Sequence, residues 1–583
     1  MENWDLTKLY ESYESDSFQD DFKNLDVMIQ KTNEFKVKFK EENYVAIVTD
    51  YLLNEIDLNN LIGRLYRYIS LRQSTNTTCQ DSAKYQVLIM RKLSELTEVE
   101  TLFSKFVASI PNIQEFVYET DFLKEHSFYI QEIFDKNKYV LDEQTEGLLS
   151  KLNQSSGSLW GKMQGVLTST LEVEFDGEIL TLPEIINKGE DKDPKIRKRA
   201  YETELEAYKK IDKAIAFSMN GIKGQVNTLT EKRGFTSPLD HALKVSRMEE
   251  KTLNAMISAM KEYLPHFRKY LRRKAELLGH NDGLPFYDLG APIGKSSSEF
   301  TVPMAQDYIL KNFGTFSSHL KALANKAFTE NWVDYRPYKG KVGGAFCANI
   351  HPIKESRILT NFTGTFGDVI TLAHELGHAY HGDNIFNESA LNSSYTMPVA
   401  ETASTFCETI VLKAALQDAE GEELLNILES DLQGSTAVIV DILSRFIFER
   451  SVFEDQKTDF LDENKLKELM LEAQRQTYGN GLNEDLMHPY MWLWKPHYYS
   501  TGLSYYNWPY AFGLLFAKGL YGVYQKEGQE FPDKYDALLQ VTGKLSVEDI
   551  AKQADIDVTD INFWRTSLEV IKEDIELFLK LTK

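Results

Sequence analysis

Through most of the chain, apolar residues recur three or four positions apart with charged residues between them, as in DVMIQKTNEFKVKF and LNAMISAMKEYLPHFRKYLRRKAELL. That spacing gathers the apolar side chains into one stripe of a helix and predicts a mainly α protein. Two stretches break the rhythm. In LEVEFDGEILTL, Leu171, Val173 and Phe175 alternate with polar residues up to Asp176-Gly177. This dipeptide tolerates the positive φ of a two-residue turn, so a β-hairpin is expected near 171–182. Between Tyr335 and Phe362, GKVGGAFCANI and SRILTNF are β-rich and punctuated by glycine. A small sheet is expected there, with an edge that could pair with an extended ligand. Gly340, Gly343 and Gly344 lack the Lys-Ser/Thr ending of a P-loop and the spacing of a dinucleotide turn, so they read as turns.

The polar run NKGEDKDP ends in Asp193-Pro194, a helix cap followed by a first-turn proline. A boundary is therefore expected near 195, between a helical N-terminal lobe (1–195) and a second domain (196–583). LGHNDGLPFYDLGAPIGKSS is too dense in glycine and proline for a helix and predicts a long ordered loop. At 583 residues and 42% apolar composition, the chain can bury more than one core. Its formal charge of −23 argues against nucleic-acid and anionic-membrane partners. No apolar run approaches the roughly 20 residues that span a bilayer, and the acidic start lacks the blocks of a secretion signal, so a cytoplasmic protein is expected. The three cysteines are scattered and support neither a disulfide framework nor a cysteine metal site.

Of 11 histidines, three fall within TLAHELGHAYHGDN. Thr365 and Asp368 resemble a capping box. Val369, Leu372, Ala373, Leu376 and Tyr380 follow at helical steps, and Gly382 is a natural terminator. On that helix His374 and His378 point within roughly 40° of each other, one turn apart, so their imidazoles can grip one ion. Glu375 lies about 100° around from His374, beside the ion's open face, positioned to take a proton from a metal-activated water. A catalytic zinc usually takes three protein ligands and keeps one position for water. The continuations that supply a third ligand close by are absent, since His381 stands where one of them requires glycine. The segment MPVAETASTFCETIVLKAAL predicts a second helix with Pro398 in its first turn, and Glu401 on it is the expected third ligand. Glu408, two turns further, could orient a ligand imidazole or be an ordinary buried carboxylate, and His381 could be a neighbour of the site or a structural histidine.

The run RILTNFTGTFGDVITLAHELGHAYH, with ETAS downstream, resembles the oligoendopeptidase F and thimet oligopeptidase family of zinc metallopeptidases. WDLTKLY, LLGHNDGLPFYDLGAP and GKVGGAFC extend the resemblance over nearly the whole chain. It implies one zinc per chain on His374, His378 and Glu401, with Glu375 as general base. The fold it implies is a multi-helical, two-lobed ellipsoid with a deep channel around a zincin-like core that holds a small β-sheet. The expected activity is endopeptidase cleavage of short unstructured oligopeptides. Near the C-terminus, WKPHYYSTGLSYYNWPYAFG concentrates His497 with Tyr498, Tyr499, Tyr505, Tyr506 and Tyr510. Neutral phenols suit an oxyanion, although any single one could be core. The resemblance carries over best to His497 and Tyr510. Trp508 departs from the family pattern, and Tyr506 is preferred over Tyr505 as the further donor. Two other classes compete: an exopeptidase, which would need a terminus-recognising charge, and a non-catalytic peptide-binding protein.

Overall fold

The computed structural model describes residues 2–294 and 299–583. Helix accounts for 71% of it, and no described helix is long and apolar enough to cross a membrane. The chain divides into two compact units, each assembled from three segments: Met1–Tyr139, Ser298–Ala414 and Val523–Ile556 form one, and Val140–Ser297, Ala415–Gly522 and Asp557–Lys583 the other.

In the first unit, long helices at Asp16–Lys38 and Tyr44–Thr75 pack their apolar stripes together. Tyr10, Tyr13, Phe18 and Tyr68 interlock edge-on in this core. The expected small sheet is present, with strands β3 (Val333–Asp334), β4 (Phe346–Ile350) and β5 (Glu355–Leu359) in the order β3-β5-β4. β5 runs parallel to β3 and antiparallel to β4, and all five of its residues are buried. Its charges are compensated locally: Arg357 donates to Glu355 at 3.1 Å and to the Asp5 carbonyl at 2.6 Å. Ala348 and Ile350 of β4 join the core of the N-terminal helices, so Cys347 and Asn349 occupy the opposite face.

The histidine helix, Phe366–Ile385, packs on β4 and β5 and carries the expected Thr365–Asp368 capping box. Its end differs from expectation. Gly382 does not terminate it, and the helix runs one turn further to Ile385. This glycine serves close packing instead: a Cβ there would lie 2.4 Å from the Asn349 side chain.

In the second unit, the hairpin forms from β1 (Glu172–Phe175) and β2 (Glu178–Thr181), turning at Asp176 and Gly177 with φ of 56° and 86°. Val173 and Phe175 are its buried positions. Asp193 caps the helix Pro194–Tyr208, which lies inside this unit. The expected loop has one short 3-10 turn, Phe286–Asp288, and is tied down by the fully buried Arg197–Asp288 pair at 2.8 Å. Lys295–Ser298, where that loop's sequence ends, lie outside the described residues.

Candidate metal centre and donor cluster

One turn of helix separates His374 from His378, and their Nε2 atoms approach to 3.1 Å. Glu401 Oε2 stands 3.4 Å from each of them. A tetrahedral zinc with ligand bonds of about 2.0–2.2 Å has ligand-to-ligand edges of roughly 3.3–3.6 Å. Two imidazole nitrogens and one carboxylate oxygen at this spacing fit a single divalent ion.

The glycine between the histidines allows Glu401 to reach them. A Cβ on Gly377 would fall 2.5 Å from the Ala403 carbonyl oxygen and 2.6 Å from Ser404 Cα, so any side chain would push the next helix away. That helix is not continuous as expected. A first turn, Met397–Ala400, with proline at its start, gives way at Glu401 to Thr402–Asp418. The break turns the carboxylate toward the histidines, and Ser404 Oγ donates to the same Oε2 at 2.7 Å.

Glu408 lies two turns beyond Glu401 and bonds His374 Nδ1. With that nitrogen donating to a carboxylate, Nε2 is left to face His378 and Glu401, and the ring is held in one orientation. Burial disfavours charge on His374, yet the Glu408 hydrogen bond and the charges of Glu408, Glu375 and Glu401 hold its pKa up to about 9. Burial, and then the charge on His374, push His378 down. The trio without metal thus stores a proton on His374 that a cation would displace. Asn349 braces the assembly, donating to the His378 carbonyl at 3.1 Å and accepting from Ser356 at 2.7 Å.

Glu375 is only 5% exposed, and its Oε2 has no hydrogen-bond partner among the described residues. Burial raises its pKa to about 7, with Glu401 and Glu408 adding to the rise, while His374 and the Cys347 N–H oppose it. A buried carboxyl poised near neutrality is suited to accept and return a proton. His381 shares the helix face but is a structural histidine: it bonds Thr542 at 2.7 Å, stacks on Tyr395, and is held at a pKa of about 3 by burial.

In the second unit, His497 sits on the short turn Pro496–Tyr499. Asn507 Nδ2 lies 2.8 Å from its Nε2, and Arg445 donates to Asn507 Oδ1 at 3.4 Å. Because a guanidinium can only donate, it fixes which end of the amide is oxygen. Nε2 of His497 must then accept, and the proton sits on Nδ1. Arg445 is itself paired with Asp441, which ends a π turn at Ala437–Asp441. Burial, reinforced by Arg445, Lys223 and Lys495, lowers the His497 pKa to about 3, so the ring is neutral.

Tyr506 lies beside His497, ring centroids 5.5 Å apart, and its hydroxyl meets that of Tyr510 at 2.6 Å. Tyr505 instead turns away through a left-handed backbone (φ 55°) and is buried against Phe446 and Phe453. Tyr498 and Tyr499 are core residues as well. Of the five tyrosines, the structure brings only Tyr506 and Tyr510 together with an accessible face. Ser404, Asn349, Asn507 and Arg445 were not anticipated. Only Ser404 carries a local signal, standing three residues after Glu401 on a helix.

A model of peptidase family M3 matches residues 189–570, and a model described as Oligopeptidase F matches residues 110–172. Oligopeptidase PepF of Bacillus subtilis is 23% identical over 594 residues, covering 99% of this chain and 86% of that protein. Group B oligopeptidase PepB of Streptococcus agalactiae is 23% identical, covering 89% of this chain and 87% of its own. Among solved structures, a Chlamydophila abortus protein superposes with a TM-score of 0.87 at 19% identity, covering 100% of this chain and 98% of the other. Oligoendopeptidase-F of Enterococcus faecium gives 0.69 at 19% identity, covering 97% and 98%. The fold is thus the mainly α, zincin-like one, and the chain belongs to peptidase family M3 and is a metallo-oligopeptidase.

Proposed function

We propose that the chain is a zinc-dependent endopeptidase that hydrolyses internal bonds of short, unstructured oligopeptides in the cytoplasm. The observation that carries this is the 3.1–3.4 Å triangle of His374, His378 and Glu401, with Glu375 alongside, its Oε2 without a hydrogen-bond partner among the described residues. One zinc would be held by His374 Nε2, His378 Nε2 and Glu401 Oε2. Bound there, it supplies Lewis acidity for a peptide carbonyl and makes water easier to deprotonate.

The chain's own residues do the rest. Glu375 takes a proton from the attacking water and returns it to the departing amine. Glu408 keeps His374 in its ligating tautomer, and Ser404 steadies Glu401. The neutral His497, with its proton on Nδ1, and the phenols of Tyr506 and Tyr510 are donors that can meet developing negative charge without themselves ionising. Their assignment to the substrate rests on the family resemblance. An extended peptide pairs with the free edge of β4, so main-chain bonds provide most of the affinity.

The test is metal analysis combined with cleavage of end-blocked, internally quenched peptides of graded length, beside an unfolded protein substrate. About one zinc per chain is expected, with chelator-sensitive internal cuts confined to the short peptides. Metal-free protein with no cleavage, or products formed only from unblocked ends, would overturn the reading.

A further inference from the structure

Alongside β4 the first unit holds a cavity of about 510 Å³. Its walls come from the helix Tyr44–Thr75 on one side and from β4 with the segment reaching Tyr395 on the other. On the helix, Asn59, Gly63 and Arg67 lie at four-residue steps, so they share the face that lines the cavity. A Cβ on Gly63 would come into ordinary contact with Pro352, just past β4, at 3.5 Å, so this helix runs close beside the strand. Arg67 is the one lining side chain that bears a full charge. It is exposed, lines the cavity, and has no hydrogen bond or ion pair among the described residues. The chain has 88 acidic against 65 basic side chains, so a guanidinium without a carboxylate is out of keeping with its surroundings.

Sheet geometry states what would pass in front of it. In β5, Ile358 N–H donates to the Trp332 carbonyl, and just past the strand Thr360 N–H donates to that of Asp334, so even-numbered residues there bond toward β3. Glu355, Arg357 and Leu359 therefore bond toward β4, to Ile350, Ala348 and Phe346. The backbone groups of Cys347 and Asn349 point off the free edge, where the Cys347 N–H meets the Glu375 carboxylate and the Cys347 carbonyl and Asn349 groups remain for an incoming strand. Their side chains lie on the face of the histidine helix, where Asn349 bonds the His378 carbonyl and both residues line the cavity. In an antiparallel pair, directly opposed residues send their side chains to the same face. A peptide residue opposite Cys347 or Asn349 would thus put its side chain on the face where those two side chains line the cavity that Arg67 also lines, and a peptide ending there would leave its terminal carboxylate at the same opening.

We propose that this cavity is a substrate subsite selective for a carboxylate, with Arg67 as its recognising group and the Asn59 and Asn60 amides as flanking donors. A guanidinium meets a carboxylate through two parallel N–H···O bonds, which gives this contact directional selectivity as well as charge. The subsite rests on the peptide-cleaving reading above. Two sources supply the same chemistry: an Asp or Glu side chain within the peptide, or the free C-terminus of a short one.

The experiment uses full-length wild type, Arg67→Gln, Arg67→Glu and Arg67→Lys. Quenched peptides carry Glu, Gln or Lys at each position in turn, each as the free acid and as the C-terminal amide. The expected result is one position, or the free acid form, at which wild type prefers the carboxylate by about tenfold in kcat/KM, mainly through KM. Arg67→Gln should bring that ratio near unity, Arg67→Glu should invert it in favour of Lys, and Arg67→Lys should keep it in part. Preference for Glu at one position assigns the subsite to a side chain; preference for the acid over the amide assigns it to the terminus. Fluorescence anisotropy of the same peptides on Glu375→Gln protein, with and without Arg67→Glu, reads binding apart from turnover. Loss of about tenfold in affinity for the acidic peptide alone supports the subsite even where nothing is cleaved, an outcome that would unseat the endopeptidase reading only. Identical ratios and affinities with Arg67→Glu, for every position and both termini, would overturn the subsite while leaving the peptidase standing.

Discussion

Two histidine clusters in this chain solve opposite electrostatic problems. In the first unit three glutamates surround His374, and despite burial they hold its pKa up to about 9. In the second, burial and the cations Arg445, Lys223 and Lys495 drive His497 down to about 3. A site that concentrates negative charge around imidazoles attracts a cation and releases a proton to solvent when the cation binds. A site that keeps imidazole neutral among phenols offers hydrogen bonds to an anion without becoming charged itself. Residue type therefore says little about the role of a histidine, and its neighbours say most.

The sharpest way to break this contrast is to remove one carboxylate from the first cluster at a time. Glu401→Gln should abolish activity together with zinc, seen as loss of the metal in elemental analysis. Glu375→Gln should keep the zinc and lower kcat by about 10³-fold or more, because only the proton carrier has gone. A Glu375→Gln enzyme that turns over at the wild-type rate would leave the proposed base without a role.

Changes in the second cluster should leave metal content untouched. His497→Gln or Tyr506→Phe should lower kcat by about 10²-fold, the scale of losing one preorganised donor, with KM little altered. Tyr505→Phe is the matched control: its ring is core, so turnover should hold while thermal stability shifts. Equal loss of turnover from Tyr505→Phe and Tyr506→Phe would erase the distinction that the structure draws between them. A smaller effect is expected at Glu408, where Glu408→Ala should weaken zinc affinity by about 10- to 100-fold, measured by chelator competition.

How much of these two clusters could be read in the sequence follows from how far apart their parts lie in the chain. His374, Glu375 and His378 are legible because a helix converts a four-residue spacing into a shared face. Glu401 is legible as a carboxylate just inside a proline-started helix. What brings them together is not: Gly377 matters only because Ala403 and Ser404 lie against it, and the break at Glu401 follows no periodicity. Gly382 misleads because a helix terminator and a close-packing glycine look alike in one dimension. In the second cluster the density of tyrosines marks the region, but Tyr506 lies ahead of the helix Trp508–Glu527 that carries Tyr510, so their four-residue spacing is not read on one helix, and only the fold separates Tyr506 from Tyr505. Arg445 stands 62 residues from Asn507, the amide it orients. Arg67 stands further still from β4, so no local pattern could join them. The expected hairpin and sheet were legible for the opposite reason, since turn chemistry and alternation act within a few residues.

His319 gives the gentlest test of the same contrast, since it is an acid-held histidine in the first unit with no part in the metal triangle. Its Nε2 bonds Asp383 at 2.8 Å and its Nδ1 bonds Asp536 at 2.9 Å, with Tyr380 packed beside the ring. These two hydrogen bonds lift its pKa from 6.5 to about 10. A group whose folded pKa is raised holds its proton more tightly in the native state. Its stabilising contribution is therefore complete below about pH 6.5 and is lost as pH rises through about 10. The side chain is 42% exposed, so solvent screens the pair and the effect is modest. His319→Gln should lower Tm by about 1–3 °C at pH 6, with the gap from wild type closing as pH approaches 10. If the gap stayed constant between those two limits, the aspartates would be holding a neutral ring, and acid-rich surroundings alone would not account for the charge on His374.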